Sequence, residues 1–381
     1  MYNFEILDSV DSKSWNNNLK KSQYSTFFQT CEYLNSQASQ RDIPDFPIFI
    51  NIYDEKKNVK GQLGMIIFQS ARAYSSKYVE KGLNFFSKLG KRASWVGGPI
   101  IHENDKKLRL EILRTILNAI DIIIAKNNIV VVNGYTPPQD LLIDDNYLSE
   151  IKNNGYGIEN FFTFVSDLRN SLDEIWNNVH KNTIRDVKRA QSRNIIIKEL
   201  TDYNQLDDYF ALSNTWKKTK GIGIQVSKNF NEKYWNCIKA GTEKVFLAYE
   251  NDDLVASHRL GCFNDIAYSH KLTNSYSKPT SLGGPLLTWK AIEWAKKSGI
   301  SIYDFSGGES TPTDERDKKR YSEQWDSLLI YKRKWGGKEF PYYHLIKLKN
   351  EKKYKIFRIL SKPDWIIRNY KKKHYKRPKN N

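Results

Sequence analysis

The chain has 381 residues, with 61 Lys or Arg against 43 Asp or Glu, a formal net charge of +18 and a pI near 9.4. That length excludes a single small module and favours two domains, or one domain built from two similar halves. The charge favours an anionic partner such as phosphate, nucleic acid or an acidic membrane surface. With 39% hydrophobic and 13% aromatic residues, the chain can build a packed core and is not wholly disordered.

Met1-Tyr2-Asn3-Phe4-Glu5 lacks the basic-then-apolar pattern of a secretory signal, and no segment approaches 18 uninterrupted apolar residues. Cys31, Cys237 and Cys262 lie far apart, which suits a reducing cytoplasm and neither a disulfide framework nor a zinc knuckle. A cytoplasmic protein without a bound metal is expected.

In chain order, Ile48 to Tyr53 reads as a strand, Asp54 to Asn58 as a turn and Gln62 to Phe68 as a second strand. The turn Gly97-Gly98-Pro99 follows, then a helical pattern over Leu108 to Lys126 and a strand at Ile129 to Val132. The second half repeats this order. Val245 to Tyr249 and Leu254 to Phe263 form a hairpin, Gly283-Gly284-Pro285 opens a helix running to Lys297, and Ile300 to Tyr303 is the strand after it. The interval from the first glycine to the strand is 32 residues in the first copy and 17 in the second, so the repeat is imperfect. Hairpin, helix and strand, twice over, predict an α/β (α+β) architecture of two related lobes.

Ser171 and Glu174 stand at capping-box spacing, so a long helix starting at Leu172 and carrying an apolar stripe to Ala190 is expected. His180, Lys181, Arg185, Lys188, Arg189 and Arg193 load that helix with positive charge. The expected organisation is a first lobe over 1–165, a second over 166–345 and a tail over 346–381. From Lys347 onward, 14 Lys or Arg stand against Glu351 and Asp364, supplying +12 of the net +18. Apolar residues interrupt these cations, the pattern of a segment lying on an anionic membrane or clamping nucleic acid, or of a solvated tail.

The familiar nucleophile, zinc and P-loop motifs are absent from the sequence. What remains are glycines at helix starts, a basic helix and polar residues at strand ends. Gly283 and Gly284 open a helix whose N-terminus offers N–H groups and a positive dipole end to phosphate, or they simply turn the chain. Asp304 ends a buried strand beside Ser306-Gly307-Gly308, where it orients an amine, acts as a base or caps a turn. Lys332 and Lys334, in Tyr331-Lys332-Arg333-Lys334-Trp335-Gly336-Gly337, are cations for phosphate or a developing oxyanion, or part of a solvated basic turn.

Five stretches together resemble the Fem family of peptidyltransferases (FemAB-like), from about residue 20 to 340. They are Phe27-Phe28-Gln29-Thr30-Cys31-Glu32-Tyr33, Gly97-Gly98-Pro99, Phe164-Val165-Ser166-Asp167-Leu168 with the basic helix after it, Tyr303-Asp304-Phe305-Ser306-Gly307, and Tyr331-Lys332 with Trp335-Gly336-Gly337. Where the family places an Arg before its helix Ala, this chain has Ile184, and Arg185 follows one residue later. The resemblance implies two tandem GNAT-like acyltransferase lobes, each a mixed sheet flanked by helices. It implies N-acyl transfer from aminoacyl-tRNA to an amine of a nucleotide- or lipid-linked cell-envelope precursor, as in peptidoglycan biogenesis at the inner face of the membrane. On that reading Lys332 and Asp304 are the catalytic candidates. Arg185, Lys188, Gly283, Gly284 and Lys334 are the substrate-binding ones, and no cofactor is tightly bound. The rival donor is acyl-CoA, used on an amino sugar or small amine. A second rival is a non-enzymatic protein that binds RNA or a membrane surface.

Overall fold

The computed structural model describes residues 2–40, 45–68, 90–219, 228–275, 282–309 and 329–356. The first half runs through β1 (Asn3–Leu7), α1 (Ser12–Leu19), α2 (Cys31–Ala38), β2 (Phe46–Tyr53), β3 (Val59–Phe68), β4 (Lys91–Trp95), β5 (Ile100–Ile101), α3 (Lys106–Asn127), β6 (Ile129–Tyr135) and α4 (Asp145–Asn153). Strands β1 to β4 pair antiparallel in that order, and β4 then pairs parallel with β6. A parallel pair needs a crossover connection, which α3 supplies.

Helix α3 is bounded by its own sequence. The Asp105 carboxylate accepts a hydrogen bond from the Leu108 N–H at 2.9 Å, and Asn128 ends the helix in the left-handed conformation that Asn tolerates. Ile112, Leu113, Ile116, Leu117, Ile120, Ile123 and Ile124 recur every three or four residues and are all buried on one face. Each contributes about 1.5–3 kcal/mol relative to exposure, so Ile116→Ala, in the middle of that face, would cost about 2–5 kcal/mol.

The second half continues with β7 (Gly157–Asp167), α5 (Leu172–Asn177), α6 (Lys181–Ser192), β8 (Ile196–Glu199), α7 (Gln205–Thr219), α8 (Lys228–Lys239), β9 (Glu243–Glu250), β10 (Asp253–Phe263), β11 (Ile266–Asn274), α9 (Gly283–Lys297), β12 (Ile302–Asp304), β13 (Gly308–Glu309) and β14 (Lys338–Leu348). Strands β8 to β11 pair antiparallel in order, and β12 pairs parallel with β11. The series β9, β10, β11, α9, β12 therefore repeats β2, β3, β4, α3, β6. The α/β architecture with two related lobes, expected from the sequence, is the observed one. A third strand precedes the crossover helix in each copy, however. The sequence concealed β11 because its Ser, His, Lys and Thr residues break the apolar alternation of a half-buried strand.

The expected long helix is instead two. The capping box at Ser171 and Glu174 is present, but α5 stops at Asn177 and His180 caps α6. At the break the His180 N–H donates to the Lys334 carbonyl at 2.8 Å, and Gly336 lies so close to the Asn178 carbonyl that a Cβ there would stand 2.4 Å from it. The chain leaves helical geometry to receive that turn.

Two compact units emerge, and among the described residues neither is a single continuous run: the first takes those of 2–159, 228–240 and 342–356, the second those of 160–219 and 241–341. Helix α8 packs on α2 in the first unit. β14 pairs with β6 from His344–Tyr135 to Leu348–Val131, so Ile346, Lys347 and Leu348, expected at the start of a tail, belong to a strand. The basic stretch from 357 onward lies outside the described residues. No helix among the described residues is long and apolar enough to cross a membrane, and none of their His, Cys, Asp and Glu side chains group as metal ligands.

Candidate active site

In the second lobe the parallel strands β11 and β12 stay in register at Ile266–Ile302, Ala267–Tyr303 and Tyr268–Asp304. There β12 ends, while β11 runs on to Asn274. No described strand pairs with that side of β11 beyond Tyr268. A bulge falls in the same stretch: Arg259 pairs with Lys271 and Leu260 with Ser269, leaving His270 as the extra residue. Helix α9 begins against the far end of β11, since a Cβ on Gly284 would lie 2.8 Å from the Asn274 Oδ1. Its N-cap, Leu282, supplies no side-chain hydrogen bond. A 15-residue helix with that start presents a positive dipole end beside the parted strands.

Asp304 is buried where β12 stops. Its Oδ1 accepts hydrogen bonds from the Thr163 hydroxyl of β7 and from the Ser306 N–H, the latter at 2.7 Å. Lys332, on a helical turn over 329–333, donates through Nζ to the carbonyls of Ser306 and Gly307, each at 2.6 Å. Burial pushes the Lys332 ammonium down to about 8, while Asp304 acts in the opposite direction. Next to it, the Tyr331 hydroxyl meets Thr288 Oγ1 of α9 at 2.9 Å, and burial raises the phenol to about 12. The 329–333 turn thus holds both the end of β12 and the first turns of α9.

Of the residues singled out in the sequence, Asp304 and Lys332 converge on the Ser306–Gly307 turn, and Gly283 and Gly284 form the start of α9. Arg185 and Lys188 stand exposed on α6, whose buried Thr183, Val187 and Ala190 form its opposite face, and neither joins the hydrogen-bonded cluster. The Lys334 side chain makes no ion pair among the described residues, although its carbonyl receives the His180 N–H. Sequence reasoning missed Thr163 and Thr288, and named Tyr331 only as part of the motif around Lys332. The signal for Thr163 is a lone polar residue inside the aromatic run Phe161-Phe162-Thr163-Phe164.

On the helix side of this sheet, His258 is fully buried, with Nε2 2.8 Å from the Ser269 hydroxyl, and burial lowers its imidazolium to about 4. The other side is cationic. Arg259 pairs with the buried Glu243 through Nε at 2.6 Å, Lys271 Nζ donates to Ser213 Oγ of α7 at 2.6 Å, and Lys217 of α7 lies nearby. Burial, then the charges of Lys217 and Arg259, bring Lys271 down to about 7.

Residues 178–320 match the family model of the acetyltransferase (GNAT) domain. Across 92% of the chain and 99% of the other, the fold is similar to that of FemX, with a TM-score of 0.67 at 13% identity. A domain of a putative lysylphosphatidylglycerol synthetase from Agrobacterium fabrum is similar over 91% of this chain and 96% of its own, with a TM-score of 0.53 and 9% identity. A tandem GNAT protein of the clavulanic acid biosynthesis pathway gives a TM-score of 0.51 at 8% identity, over 90% of this chain and 98% of its own. No curated protein matches the sequence. The Fem-like resemblance is therefore borne out in the fold, the second lobe carries a GNAT domain, and the protein is an acyltransferase.

Proposed function

We propose that the protein transfers an aminoacyl group from aminoacyl-tRNA to an amine of a cell-envelope precursor, with the second lobe holding the donor. The observation that carries this reading is the parting of β11 and β12 beside the uncapped start of α9. An extended acyl donor fits between diverging strands, where the open edge of β11 supplies hydrogen-bond partners for its carbonyl and the helix terminus receives a phosphate. The amine nitrogen attacks the acyl carbon, the C–N bond forms, the ester C–O bond breaks, and the departing ribose hydroxyl takes a proton as the amine loses one. Such a step needs positioning and oxyanion stabilisation more than a protein nucleophile.

Within this reading Asp304 and Lys332 brace the Ser306–Gly307 turn at the mouth of the slot, and Lys332, brought down to about 8, buffers charge close to the reacting carbonyl. Arg185, Lys188 and Lys334 are assigned to the anionic parts of the acceptor, whose amine must reach the same carbonyl. The basic residues beyond Lys347 are assigned to tRNA or to the anionic inner face of the membrane. Support for an envelope acceptor comes from the shared fold with FemX and with a lysylphosphatidylglycerol synthetase domain.

A second reading, with acyl-CoA as donor, draws on the GNAT domain match. Against it, Pro285 removes one N–H from the first turn of α9, leaving a poorer cradle for a pyrophosphate. Purified protein given aminoacyl-tRNA, acetyl-CoA and an extract of envelope precursors separates the two by mass spectrometry. Transfer of an amino acid that RNase abolishes is the expected result, whereas an RNase-insensitive acetyl increment would establish the CoA donor instead.

A further inference from the structure

A groove of about 750 Å³ lies in the second unit, where the end of α6, the strands β8 and β9 and the first turns of α9 meet. It is separate from the parted strands, because β10 stands between β9 and β11 in the sheet and β8 is the last described strand on that side. Helix α6 stops at Ser192, and Asn194, in the left-handed conformation, turns the chain into β8. Ile197 of β8 is left half-buried beside the buried Ile195, Phe246 and Leu286, and these four give the groove its apolar lining. Ile196, which also borders it, is 56% exposed, so apolar surface continues to the edge of the sheet.

The two ends of the groove differ in chemistry. Along β8 and α9 the charged groups are already paired, Glu199 with the Lys244 ammonium and Lys290 with Glu293 at 2.6 Å. An extended peptide laid there would bring N–H and C=O groups that need partners, whereas a saturated chain needs none. At the α6 end Gln191 and Asn194 present side-chain amides, and Lys188 stands one turn before Gln191 on the same helix face. Lys188 is exposed and makes no ion pair among the described residues. Helix α6 as a whole carries Lys181, Arg185, Lys188 and Arg189 against one carboxylate, Asp186, so that end is complementary to an anion.

We propose that this groove holds one acyl chain of an anionic phospholipid, with the lipid phosphate at the α6 end against Lys188, Gln191 and Asn194. The volume is that of a small-ligand site, and an apolar strip beside exposed cations is what an anionic bilayer attracts. The inference does not depend on acyl transfer and shares with that reading only a phosphate at Lys188.

Two measurements on the full-length protein test it, neither of which involves acyl transfer. Hexyl, octyl and decyl phosphate, each below its micellar concentration, would be titrated by calorimetry. Affinity is expected to rise at least about twofold per added methylene, and decyltrimethylammonium to bind at least about fivefold more weakly than decyl phosphate. Phosphatidylglycerol with a photoactivatable group at the end of one chain would then be crosslinked from phosphatidylglycerol vesicles and its adducts mapped by mass spectrometry. Adducts are expected within 195–199 and 286–290. Gln191→Trp, which fills the groove from an exposed position, should reduce them at least about fivefold at an unchanged melting temperature. Lys188→Glu should weaken decyl phosphate about fivefold, and Lys188→Arg should retain it. Affinity indifferent to chain length or to the sign of the head, or adducts confined to other parts of the chain, would overturn the proposal. So would decyl phosphate binding without groove adducts from vesicles, which would make the ligand a free amphiphile, and a dimer dispersed by Gln191→Trp, which would make the occupant a second copy.

Discussion

In the first lobe an indole covers the end of the β4–β6 pair, whereas in the second β11 and β12 part. Trp95 pairs with Gly134 across the first junction, its Nε1 donates to the Gly98 carbonyl at 2.9 Å, and the Gly98 N–H continues the pairing to the Tyr135 carbonyl at 3.0 Å. Gln29 adds a second closure. Its side-chain amide bonds both main-chain groups of Gly64 and the Val96 carbonyl. The helix ends differ in the same sense: Asp105 places a carboxylate at the start of α3, while Leu282 offers nothing at the start of α9. One order of elements thus yields a first lobe closed at this junction and a second in which the strands part, where the proposed donor would sit.

The largest expected effect comes from filling the open lobe. Gly284→Val sets a branched side chain against Asn274, whose Oδ1 is 2.8 Å from the position of the first added carbon. Displacing the start of α9 by part of an ångström should lower acyl transfer about 100-fold while the melting temperature changes little. Full activity with a folded Gly284→Val protein would remove the donor from this slot.

Filling the closed lobe should act on stability instead. A Cβ on Gly134 would lie 2.1 Å from the Trp95 ring, a rigid neighbour on a paired strand. Gly134→Ala should therefore cost about 3 kcal/mol in a denaturant titration, with acyl transfer nearly unchanged well below the transition. The reverse pattern, lost transfer at unchanged stability, would place donor chemistry in the first lobe.

This contrast was only partly legible in the sequence. The hairpins, the crossover helices and the two Gly-Gly-Pro turns could be read because apolar periodicity and glycine report directly on backbone geometry. What distinguishes the lobes could not. Trp95 beside its Gly-Gly-Pro looks like core, and Gln29 within Phe27-Phe28-Gln29 gives no hint that its amide will bridge Gly64 and Val96. The Gln29 partners lie 35 and 67 residues away. Asp304 and Lys332 were legible as candidates, but their convergence on the Ser306 and Gly307 main chain was not, since a lone carboxylate and a basic run carry no address.

Acid should loosen the second lobe through His258. Burial holds its imidazolium near 4, below the ordinary histidine value of 6.5. The unfolded chain therefore takes up a proton between about pH 6.5 and 4 that the folded one refuses, so stability falls as pH falls through that window. The full difference is on the order of 3 kcal/mol. In His258→Gln, which can still meet the Ser269 hydroxyl, the slope of unfolding free energy against pH should flatten between 6.5 and 4. An unchanged slope would mean that the imidazole is reached by water.

The smallest effect is the sharpest comparison, because it exchanges one feature between the lobes. The Asp105 carboxylate accepts the Leu108 N–H at 2.9 Å, so Asp105→Ala should cost about 1 kcal/mol and leave transfer untouched. Leu282→Asp puts the same carboxylate at the start of α9, where capping and the helix dipole would add up to about 1 kcal/mol of stability. If that terminus receives a donor phosphate, the gain must be offset by a higher KM, since a fixed negative charge then competes with the ligand for the same N–H groups. A several-fold rise in KM for the donor at nearly constant kcat is expected, reduced by added salt because the opposing charges are partly exposed. Were Leu282→Asp to stabilise the protein with KM unchanged, the helix start would be a turn and nothing more, and the open edge of β11 would have to hold the donor alone.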